Sequence, residues 1–212
     1  MDDSTAPRHR RPAYRPGDEM DVGGESPDPA QLSEIAHETA AVLVGAGRAS
    51  TDPEVRRRLI HLVDELGFST VAELWAGRPA TSLPGALWRL YTLREWVQRD
   101  PVGASADYDA GVRHADVAHA VAGPAEPFGP TEIKDLGDAI LRGVFEGDLA
   151  VALDRAAAFC LVISTGRAHR ADDRDGHDEL GAESATRSAS ALLTTATDLQ
   201  RCAALWRDDK LD

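Results

Sequence analysis

The chain has little of what normally announces a function. It has two cysteines in 212 residues, Cys160 and Cys202, too few for a disulfide framework. Each falls within an apolar helical pattern and is expected to be a small core residue. Lysine is nearly absent: of 23 basic residues only Lys134 and Lys210 are lysines, against 36 acidic ones. The resulting net charge of −13 repels phosphate backbones, so any nucleic-acid contact would need a local basic patch. Aromatics make up only 5 %, and no alternating apolar strand of useful length occurs. A core of Leu, Val and Ala favours close-packed helices over a sheet. There is no Gly-rich phosphate loop, G-x-S-x-G, H-E-x-x-H or CxxC, so no catalytic residue, cofactor or metal is expected on motif grounds. His37, His61, His114 and His119 fall on different expected helices and read as isolated structural or surface residues. Residues 1–28 lack an apolar leader-like run. The most apolar stretch, Leu149 to Ile163, is too short to span a bilayer and contains Asp154 and Arg155, so the expectation is a cytoplasmic protein with no membrane contact.

What is present divides into a tail and helices. Residues 1–27 are rich in Pro, Gly, Asp and Arg, and read as a disordered tail that cannot bury enough surface to offset its ordering entropy. Residues 28–212 read as one all-α domain, a compact bundle of about six to eight helices. Asp28-Pro29 and Asp52-Pro53 each pair an N-cap with proline at the first helical position. The first should carry Leu32, Ile35, Thr39, Val42 and Leu43 inward and stop at Gly45 and Gly47. The second should run to Gly67. Thr70 with Glu73 suggests a capping box for a short helix ending at Gly77. Ser82 and Pro84 open a helix closed by Asp100-Pro101. A weak helical pattern spans Asp107 to Val121. Pro130-Thr131 starts a helix through Val144, and Gly147-Asp148 another through about Ser164. Residues 166–181 read as a flexible loop before a last helix bearing Leu192, Ala196, Leu199, Ala203 and Trp206.

The Leu83–Arg99 segment is the most informative. At 100° per residue, Leu83, Ala86, Leu87, Leu90, Tyr91, Leu93 and Val97 share one broad face, whereas Trp88, Thr92 and Trp96 line the opposite side. Either other helices enclose this one on both sides, or the tryptophan stripe is an interaction surface. Arg94 lies in the middle of the apolar face. A guanidinium there must meet a carboxylate, or mark a groove that receives an anion.

Two polar stretches invite sharper readings. His169 to Glu179 holds histidines and carboxylates that suit zinc or calcium, but a calcium-loop register would place Ala171 and Ala182 at ligand positions, and interleaved arginines oppose a cation. A solvated loop is expected instead. Arg8, Arg10, Arg11 and Arg15 could contact an anionic partner, but comparable acidic charge lies beside them. A helix-turn-helix drawn through Leu59 to Trp75 would offer Thr70, Glu73 and Arg78 to bases, which is poor reading chemistry.

Leu83-Pro84-Gly85-Ala86-Leu87-Trp88-Arg89-Leu90-Tyr91, with Leu93-Arg94-Glu95-Trp96, resembles a segment of uncharacterised helical proteins of high-GC actinobacteria. Asp138-Ala139-Ile140-Leu141-Arg142-Gly143 and Ala156-Ala157-Ala158-Phe159 share the resemblance. It implies a bacterial cytoplasmic setting and no activity. The expectation is therefore a non-enzymatic regulatory or adaptor protein acting on a protein partner or a second copy of itself. A DNA-associated regulator is the alternative, and an enzyme with an unfamiliar site comes third.

Overall fold

The computed structural model describes residues 28–113, 121–122, 129–172 and 179–212. Among these the chain forms nine α-helices and no strand: α1 (Pro29–Ala49), α2 (Pro53–Ile60), α3 (Leu62–Leu66), α4 (Phe68–Trp75), α5 (Leu83–Arg99), α6 (Pro101–Val112), α7 (Pro130–Glu146), α8 (Leu149–Asp172) and α9 (Glu179–Arg207). They make a compact all-α bundle. The arginines of the tail, Arg8, Arg10, Arg11 and Arg15, lie outside the described residues, as do His114 and His119.

The caps act as the sequence implies. Asp28 accepts from Ala30 N at 3.0 Å, Asp52 from Glu54 N at 2.8 Å, Ser82 from Gly85 N at 3.2 Å and Asp100 from Gly103 N at 2.9 Å. Each satisfies an orphan donor of the first turn. Three of the four helices carry proline directly after the cap, and α5 carries it at Pro84.

Helix α8 is the centre, packed against α6, α7 and α9. It is 24 residues long, beyond the expected end at Ser164, and its most apolar 18-residue window has a mean hydropathy of 1.6. That is enough, by length and composition, to cross a membrane, but 72 % of the window is buried inside the bundle. Core packing accounts for its apolar character.

Four expectations need correction. Helix α1 passes through Gly45 and Gly47 rather than stopping there. Its inward face is Ala36, Ala40, Val44 and Gly47, whereas Ile35 is 46 % and Val42 67 % exposed. Small residues let α1 approach α7 closely: a Cβ on Gly47 would lie 2.5 Å from Phe145 Cδ1. The helix expected over Pro53–Leu66 is broken at His61, which ends α2 and precedes α3, so the segment forms two helices rather than one. Helix α4 starts at Phe68 without a side-chain cap, so no capping box forms at Thr70. Finally, most of the loop placed at 166–181 is helix, with α8 reaching Asp172 and α9 starting at Glu179. Residues 173–178, the middle of the candidate metal stretch, lie outside the described residues.

Gly166, expected to open a loop, lies instead at a helix crossing. Gly166 packs against Gly111 of α6 so closely that a Cβ would overlap the Asp107 carbonyl oxygen and lie 2.5 Å from Gly111 N. Glycine here permits a backbone-to-backbone crossing rather than a chain break.

Candidate functional site: an aromatic and cationic groove

The two sides of α5 have different surroundings. On its inward side Arg94 is 3 % exposed. Its Nε donates to Asp138 Oδ1 of α7 at 2.7 Å, and its NH2 lies 3.1 Å from Asp64 Oδ2 of α3. The same NH2 is 2.8 Å from Nδ1 of His61, which is itself 2.8 Å from Asp64 Oδ2. The carboxylates required by a buried guanidinium thus come from two other helices. Burial pushes the Asp64 carboxyl upward, but hydrogen bonds from His61 and Arg94 outweigh it and hold the pKa below its ordinary value. For Arg94, burial disfavours the charge, and Asp64 and Asp138 more than restore it. This network joins α3, α5 and α7 and engages the Arg94 guanidinium within the bundle. His61 was read from sequence as an isolated histidine and is a member of it.

On the other side, Trp88, Thr92 and Trp96 are half-buried. The bundle neither encloses the stripe nor leaves it bare. Together with Ala76, Arg78, Arg89 and Leu93, and with Arg167 of α8 and Ser188, Ala191, Leu192 and Thr195 of α9, it lines an open groove of about 410 Å³. That volume falls within the usual range of about 300–1,000 Å³ for ligand sites.

The walls are organised. Trp88 packs on Phe68 with ring centroids 4.9 Å apart. The Arg167 guanidinium lies 4.8 Å from the Trp96 ring centroid, a cation–π contact. It is fixed there by Asp107 at 2.7 Å and Ser188 Oγ at 2.5 Å. Asp107, itself 5 % exposed, also pairs with Arg170, so a buried carboxylate in α6 is neutralised by two cations one turn apart on α8. Arg89 is held by Asp198 of α9 at 3.2 Å and by the Gly85 carbonyl at 3.1 Å. The tryptophan stripe is legible in the sequence, whereas Arg78 is singled out there only as a base-facing residue of a helix-turn-helix, and Arg89 and Arg167 are given no site role. Arg167 had been placed inside the expected loop.

Elsewhere the chemistry is quieter. Among the described residues no group of three or more His, Cys, Asp or Glu side chains is placed to hold a metal ion. Burial pushes the Cys160 thiol up to about 12 and the Cys202 thiol up to about 11, which keeps both protonated and unreactive. The segment read as a helix-turn-helix forms α2, α3 and α4 around Gly67, whose φ of +86° is the left-handed conformation glycine allows. Its exposed positions include Asp64, Glu65, Thr70 and Glu73, which offer more negative charge than donors to a phosphate. A second groove, about 390 Å³ and almost wholly apolar, lies between α1, α3 and α4 beside Val42, Leu66 and Leu74. No protein-family model, curated protein or solved structure matches this chain.

Proposed function

We propose that the protein is a non-enzymatic regulatory or adaptor protein that holds a protein partner in the groove between α5, α8 and α9. The observation that carries this reading is the half-buried Trp88–Thr92–Trp96 stripe, which forms one wall of an open groove. Tryptophan and arginine are the residue types most enriched at the energetic centres of protein interfaces, because each combines large contact area with directional donors. The lining contains no histidine, cysteine or carboxylate. It offers aromatic faces and fixed donors but no group that exchanges a proton near neutral pH, which favours holding over chemistry.

Site-specific photo-crosslinking tests this. With a photoreactive amino acid at Thr92 of the full chain in living cells, a discrete adduct should form that is absent when the same amino acid replaces Glu183 on the outer face of α9. Trp88→Ala with Trp96→Ala should remove it. An adduct of twice the chain mass would identify a second copy as the partner. No adduct, or equal labelling from both positions, would contradict the proposal.

A further inference from the structure

The residues that line this groove differ in sign from the molecule as a whole. The chain carries −13, yet three guanidinium groups and no carboxylate line the groove. The separate cleft beside α2 and α7 mixes signs, with Asp52, Glu54, Asp138 and Glu146 among its arginines, and the cleft beside α6, which shares Trp96, Arg167 and Ser188 with this groove, holds Asp100 and Asp107. Arg89 and Arg167 are partly neutralised by Asp198 and Asp107, but Arg78 makes no ion pair among the described residues. Its positive charge is left for whatever enters.

Unsatisfied donors point the same way. Among the described residues, three buried side-chain polar atoms lack a hydrogen-bond partner: Arg56 Nε, Arg78 Nε and Thr92 Oγ1. Two of the three belong to this groove. The Thr92 case is pointed, because Thr39, Thr165, Thr186, Thr194, Thr195 and Thr197 all turn their hydroxyls onto the carbonyl one turn earlier. That back-bond is the default for a helical threonine, and Thr92 does not make it. Both groove atoms are closed to solvent, and a buried donor left without a partner costs stability; turning the Thr92 hydroxyl out of its closed position onto a ligand acceptor would recover that cost.

We infer that the groove recognises a short, extended, acidic segment of a partner protein, with carboxylates meeting the Arg78 guanidinium and, once it turns outward, the Thr92 hydroxyl, and apolar side chains lying against Trp88 and Trp96. This rests on the partner-binding reading above and adds the chemistry of the partner. The length follows from helix geometry. Trp88 and Trp96 are eight residues apart on α5, about 12 Å at 1.5 Å per residue. An extended chain rising about 3.3 Å per residue covers that distance in three to four residues. Carboxylate suits the donors, since guanidinium groups pair with it through directional, charge-assisted hydrogen bonds.

The test pans the immobilised full chain against a random octapeptide library and measures the binding of a synthetic copy of the enriched sequence by fluorescence anisotropy. Enriched peptides should carry two carboxylates within four residues, with apolar side chains between or beside them. Replacing those acids by their amides should weaken binding at least tenfold, as should Arg78→Gln, and Thr92→Val should weaken it severalfold. The amide peptides keep the test independent of how any protein variant folds. If the amide peptide binds as tightly as the acid while Trp96→Ala still abolishes binding, the acidic inference falls and partner binding at the groove stands. If no peptide is enriched, or binding ignores Trp88→Ala and Trp96→Ala, both fall.

Discussion

Gly166→Ala should destabilise the fold by about 3 kcal/mol or more, the upper end of the usual cost of overpacking a core. The cause is not lost helix propensity, which alanine would improve. The added methyl would overlap the Asp107 carbonyl oxygen and press on Gly111 N, so two helix backbones must separate rather than one side chain turn aside. Separating α6 from α8 also moves Asp107 away from Arg167, and with it the guanidinium that covers Trp96. Thermal unfolding followed by circular dichroism should show a melting temperature lower by about 10 °C, using about 2–4 °C per kcal/mol for a domain of this size. Gly45→Ala is the control. Nothing lies within 4 Å of a Cβ there, so the same substitution in α1 should be neutral or stabilise by up to about 1 kcal/mol. Equal effects at the two positions would show that the α6–α8 crossing is not as close as described.

Arg94→Ala should cost about 3 kcal/mol, the low end of the range for breaking a buried ion pair. The low end applies because Asp64 and Asp138 retain some access to water once the guanidinium is gone. Arg94→Met, which keeps the stem but not the charge, should cost less. The network should also set part of the acid limb of stability. Asp64 has a folded-state pKa below its unfolded value, so its contribution is complete above about pH 5 and is lost as pH falls through the unfolded value toward the lower, folded one. Denaturant titrations between pH 2 and 6 should therefore show a steeper acid loss in the parent than in Asp64→Asn. A parent and an Arg94→Ala variant of equal stability would overturn the structural role of Arg94 and return it to the anion-groove reading.

What could be read in advance followed the range of the interactions. Helix α5 was legible because its proline and both of its faces are encoded within its own 17 residues and its cap, Ser82, directly precedes them. The same pattern shows that Arg94 needs a carboxylate. It does not show which ones, because Asp64 and Asp138 lie 30 and 44 residues away along the chain. The groove was half visible for the same reason: one wall is a periodic stripe, but the other comes from α8 and α9, some 70 to 100 residues on. Glycine was the main source of error. Gly47 and Gly166 were taken as breaks, and both instead allow neighbouring elements to approach closely. A single glycine in a helical pattern looks the same in either role until its neighbours are in place.

The Trp88–Thr92–Trp96 face is the proposed working surface of the protein. The chain has four tryptophans, and they divide into two in the groove and two away from it, Trp75 in the core and Trp206 beside Arg48. An isotopically labelled sample therefore gives four indole N–H resonances in a proton–nitrogen correlation spectrum, each assignable by a single Trp→Phe variant. Titrating an acidic, leucine-containing octapeptide enriched by panning should shift the Trp88 and Trp96 signals and leave those of Trp75 and Trp206 in place. Shifts confined to Trp75 or Trp206, or no shift at saturating peptide, would contradict the account.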